Sequence, residues 1–147
     1  MNITTEAKRK KIIKEIESLT LNEYQITIEP IKEDRSRAQN RLSHMHYAQI
    51  GKHMGEDTDE VKTRCKLQYG IPILQAGNQD FCDKWFSLTM FNNHSQNLIV
   101  ASMIPVTSIL TIKQMAQYIT AYMREHESNG IALSHPSDLF NLAMGVK

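Results

Sequence analysis

Three guanidiniums, two side-chain amides and one hydroxyl fall within Arg35-Ser36-Arg37-Ala38-Gln39-Asn40-Arg41. These are the groups that neutralise phosphate and hydrogen-bond base edges. A capping box from Ser36 to Gln39 predicts a helix starting at Ser36, with Arg37 and Arg41 four apart on one face and free backbone amides adding an anion site. His44 and Lys52 extend that side, and Tyr47 or another aromatic is able to stack bases. The chemistry on offer is recognition of a polyanion. A plainer reading is a solvated helix N-terminus whose arginines pair with Glu33 and Asp34, and on spacing alone it is the stronger of the two.

Other reactive constellations are weaker. Asp57, Asp59 and Glu60 could bind magnesium for nuclease chemistry, but their position ahead of Val61, Cys65 and Tyr69 predicts helix capping instead. His44, His46 and His53 lack the spacings of a zinc site. The glycines are scattered singly, which excludes a phosphate-binding loop, a dinucleotide fingerprint and a nucleophile elbow. Cys65 and Cys82 read as free thiols, of which burial is the ordinary fate. No cofactor, metal or catalytic residue is predicted, and the expected class is a binding protein rather than an enzyme.

The elements that would carry these residues are mostly helical. Ile12, Ile13, Ile16 and Leu19 recur at helical spacing among Lys8, Arg9, Lys10, Lys11 and Lys14, giving a basic amphipathic helix over residues 5–19. Tyr24, Ile26 and Ile28 alternate with polar residues as in a half-buried strand ending at Pro30. A helix follows to about Met54, then another from Asp57 that Gly70 and Pro72 stop. Ile71 to Leu74 reads as a second, edge strand. Phe81, Trp85, Leu88 and Phe91 mark a further helix closed by a loop at Asn92-Asn93-His94-Ser95, and Leu98 to Ile104 fits strand or helix. Thr111 and Gln114 open a long helix carrying Ile112, Met115, Ala116, Ile119, Tyr122 and Met123, ended by Asn129-Gly130. A short terminal helix holds Leu139, Leu142 and Met144. The expected fold is α+β, mostly helical, with a small sheet in one domain spanning residues 1–147.

Composition sets the outer bounds. The chain has 147 residues and a formal net charge of +1, so the total charge does not argue for nucleic acid. The distribution is uneven, since 13 of the 17 Lys and Arg residues lie in residues 1–66. That half also holds 11 acidic residues, so a basic surface requires segregation in three dimensions. No apolar run is long enough to span a membrane and no secretion signal is visible, which predicts a cytoplasmic protein.

The stretch Asp34-Arg35-Ser36-Arg37-Ala38-Gln39-Asn40-Arg41 resembles the Arg-Ser-x-x-Gln-Asn-Arg signature of the NinB family, also called Orf, the recombination mediators of lambdoid phages. Pro105 to Met115 is similar to the stretch preceding the last long helix of prophage relatives. The resemblance implies an α+β homodimer that binds single-stranded DNA, contacts a host single-strand-binding protein and assists recombinase loading. Residue by residue it covers Arg35, Ser36, Gln39, Asn40 and Arg41, and the basic first helix departs from it. A metal-dependent nuclease and an adaptor for host replication or recombination proteins are the competing expectations.

Overall fold

Six of the described helices begin where a side chain accepts from a backbone amide of the first turn. The computed structural model describes residues 5–20, 23 and 34–146. The chain divides into two compact units, residues 1–33 and 34–147. The first contributes helix α1, Glu6–Glu17, capped by Thr5, whose hydroxyl accepts from the Lys8 amide. None of the residues of α1 is buried. The expected strand at residues 24–30 lies outside the described residues.

The second unit is a set of helices. Helix α2, Arg35–Met54, is capped by the Asp34 carboxylate, which accepts from the Arg37 amide at 2.8 Å, and ends at Gly55 in the left-handed region with φ 71°. The expected capping box at Ser36 and Gln39 is therefore displaced, because Asp34 offers an acceptor two residues earlier. Helix α3, Thr58–Cys65, opens with the predicted box between Asp57 and Glu60. The chain then runs through a π-helical segment, Lys66–Gly70, directly into α4, Ile71–Gly77.

The Ile71–Leu74 strand is thus overturned, and with it the α+β class. Among the described residues every regular element is helical, so the fold is all-α. The physical reason lies at Pro72. It occupies the first turn of α4, where a missing amide hydrogen costs little, and the Ile71 amide reaches back five residues to the Lys66 carbonyl. Gly70 is not a helix stop: a Cβ there would lie 2.7 Å from Cγ1 of Val106, so glycine serves close packing.

Helix α5, Gln79–Thr89, is followed by α6, His94–Met103, which opens with an Asn93–Gln96 capping box inside the expected loop. Leu98 to Met103 is helix. Helix α7, Ile112–Ser128, has the predicted Thr111–Gln114 box, and α8, Ser137–Met144, ends at Gly145. One core joins α2, α3, α7 and α8 through Leu42, Tyr47, Ile50, Val61, Tyr118, Ile119, Tyr122 and Leu139. A second gathers Ile71, Leu74, Trp85, Ala101 and Val106. Leu88 and Phe91, expected beside Trp85, are exposed instead. No helix among the described residues is long and apolar enough to cross a membrane.

Candidate nucleic-acid interface

Helix α2 divides the predicted site into two sets. Positions 39, 42, 46 and 50 share its inner side, and there even polar residues are buried. Gln39 is 2% exposed, and its side-chain amide donates to the carbonyls of Ile112 at 2.8 Å and Ala143 at 3.0 Å. Arg35 is similarly committed, with Nε donating to the Ala143 carbonyl and Nη2 to the Met144 carbonyl, both at 3.1 Å. It supplies the donors that the end of α8 lacks. These two residues therefore hold α8 on α2 rather than a ligand, which corrects the expectation that they contact DNA. Tyr47 is also corrected: it is 1% exposed, its hydroxyl bonded to that of Tyr118 at 2.6 Å, so it stacks no base.

The remaining residues stay on the surface. Ser36, Arg37, Asn40, Arg41, His44 and Lys52 are all exposed. At about 100° per residue, positions 37, 41, 44 and 52 fall within about 80° of one another, so they form one stripe along the helix. Arg37 lies 3.9 Å from Asp34 in a solvent-exposed pair, which holds it only weakly. His44 meets the ring of Tyr47 edge-on.

Ser36 and Asn40, one turn apart, line a polar cleft of about 460 Å³ with Lys62, Thr107 and Ser108. Gln39, Leu110, Ile112 and Met115 complete its wall. The cleft thus joins both sequence stretches singled out above, Asp34–Arg41 and Pro105–Met115, and adds the Lys62 ammonium from α3. Lys62 was missed by sequence reasoning, since nothing local links it to Ser36. Thr107 and Ser108 stood within a quoted stretch, but their hydroxyls carried no distinguishing spacing. Hydroxyls, an amide and a cation facing a small concavity offer donors to phosphate or to the edges of unpaired bases.

The competing metal site does not assemble. Asp57 accepts from the Glu60 amide at 2.9 Å and Glu60 accepts from the Asp57 amide at 3.0 Å, so both carboxylates are used in capping. Among the described residues no group of three His, Cys, Asp or Glu side chains is placed to hold a metal ion.

No protein family, characterised protein or solved structure matches this chain. The α+β fold implied by the NinB resemblance also differs from the helices observed, so the functional argument falls to the cleft itself.

Elsewhere the titratable groups serve the fold. His46 bonds through Nδ1 to the Tyr122 hydroxyl at 2.8 Å and through Nε2 to His135 Nδ1 at 3.0 Å. Burial, reinforced by the neighbouring His135, lowers its pKa to about 4. Burial raises the Cys65 thiol to about 12, which leaves it unreactive, and Cys82 is a half-buried free thiol. The buried Lys66 ammonium donates to the Ile104 carbonyl at 2.8 Å, closing the end of α6.

Proposed function

We propose that the chain is a non-catalytic protein that binds single-stranded DNA along the outer stripe of α2 and in the adjoining cleft. The observation carrying this reading is the convergence of Ser36, Asn40, Lys62, Thr107 and Ser108 on one concavity beside Arg37, Arg41, His44 and Lys52. Cations along the stripe neutralise successive phosphates, and the cleft is too small for a duplex but takes part of a nucleotide. No exposed aromatic stands among these residues, so affinity is dominated by phosphate and sequence preference is slight.

The test is fluorescence anisotropy with single-stranded and duplex oligonucleotides across a salt series, with and without magnesium. Tighter binding of the single strand, a steep salt slope and intact DNA are expected. Equal affinity for duplex, or magnesium-dependent cleavage, would sink the proposal.

A role as a phage-type recombination mediator, acting with a host single-strand-binding protein and assisting recombinase loading, is the biological form of this proposal. It is supported by the Arg35–Arg41 resemblance alone. Recombinase filament assembly on protein-coated single strands, accelerated by this chain, is the outcome that would support it.

A further inference from the structure

A second concavity lies between the N-terminus of α3 and the face of α6. Glu56, Asp57, Asp59 and Glu60 line this groove of about 530 Å³, Glu56 paired there with Arg64 at 2.8 Å so that the net acidity comes from the other three, and Thr63 with Leu98, Ile99 and Ser102 of α6 completes it. Its apolar side continues onto open surface: Ile99 is 61% exposed and Met103, one turn on, is 79% exposed. An acidic rim over an aliphatic face is complementary to a basic amphipathic helix.

Such a helix is present in the chain itself. Helix α1 carries Lys8, Arg9, Lys10, Lys11 and Lys14 against three carboxylates, while Ile13, Ile16 and nearby Leu19 are exposed. A twelve-residue helix is marginal in water unless its apolar stripe is packed, and no residue of α1 is buried. We infer that the groove receives α1 of a second copy of this chain, in a two-fold exchange where each copy seats its helix in the other. The cations of α1 are then used in assembly, which separates them from the DNA-binding stripe of α2. The exchange is closed, because the same two surfaces are used by both copies.

A charge exchange in the full-length chain tests this. The groove variant is Asp59→Lys with Ile99→Lys, both at exposed positions outside the Asp57–Glu60 capping box. The helix variant is Lys10→Glu with Lys14→Glu. Circular dichroism first shows that both retain their helices. By analytical ultracentrifugation at micromolar concentration the unaltered chain is a dimer, and each variant alone dissociates with its dimer constant weakened by on the order of a hundredfold. An equimolar mixture of the two re-forms dimers, since one unaltered helix meets an unaltered acidic groove and the acidic helix meets the two ammoniums introduced at positions 59 and 99. A monomeric unaltered chain, a dimer indifferent to both variants, or a mixture that stays monomeric would each overturn the inference. None of these outcomes bears on single-strand affinity, so the two proposals fail separately.

Discussion

The two sides of helix α2 place the same residue types in opposite settings. On the inner side, Arg35, Gln39 and His46 spend their donors and acceptors on α7, α8 and the segment before α8. On the outer side, Arg37, Asn40, Arg41 and His44 face solvent. A guanidinium is therefore no evidence of a binding site until its hydrogen-bond partners are counted. Arg35 and Arg37 are two residues apart, and only one is free of carbonyls belonging to another helix.

Acid should separate the sides most strongly. His46 has its folded pKa lowered to about 4 from 6.5, so its contribution is fully present above pH 6.5 and is lost as the pH falls toward 4. Over that window the unfolded chain takes up a proton that the folded chain resists, costing about 3 kcal/mol, less whatever solvent screening His135 admits. Urea unfolding at neutral pH and near pH 4.5 measures it. His46→Gln, which hydrogen-bonds without titrating, should lose less stability across the same interval; an identical loss would assign the effect to other groups.

Gln39→Ala comes next. It removes the side-chain donor to the Ile112 carbonyl and one of the two donors to the Ala143 carbonyl, the other being Arg35 Nε, and should cost about 2 kcal/mol in denaturant unfolding. Arg35→Ala should cost about 1.5 kcal/mol, loosening α8, while the folded fraction keeps its salt-dependent DNA binding. A folded Arg35→Ala protein that loses most of its affinity would break the contrast between the two sides.

The smallest stability change belongs to the outer side. Arg37→Ala with Arg41→Ala and Lys62→Ala should shift stability by under about 1 kcal/mol in total. At about 0.7 per phosphate for single strands, the slope of log affinity against log salt should flatten by about two. An unchanged slope in this folded variant would remove the stripe and cleft from the proposed function.

Local signals in the sequence were legible and tertiary ones were not. The Asp57–Glu60 and Thr111–Gln114 boxes depend on a spacing of three residues, and both are present. The start of α2 was misplaced because Ser36 and Asp34 are both good caps and only the folded chain chooses between them. The burial of Gln39 was partly legible, since it shares the spacing of Leu42, His46 and Ile50, but its polar character pointed outward. Ile71–Leu74 read as a strand because a short apolar run has no period of its own. The acceptors that engage Arg35 lie more than a hundred positions away. Lys62 reaches the cleft only through the packing of α3 on α2.

The π-helical turn at Lys66–Gly70 also sets the phase of everything after it. A π turn holds one residue more than the α turn it replaces, so it acts as a one-residue insertion absorbed within a continuous helical path. Wound as an ordinary α-helix, the same residues would rotate the downstream face by about 100°, and Ile71 and Leu74 would turn away from Trp85 and Ala101. The second core is thus indexed by one extra backbone unit: removing a residue at this turn would close it to an α turn with the downstream phase kept, whereas removing one further along the run would swing the apolar face off its partners.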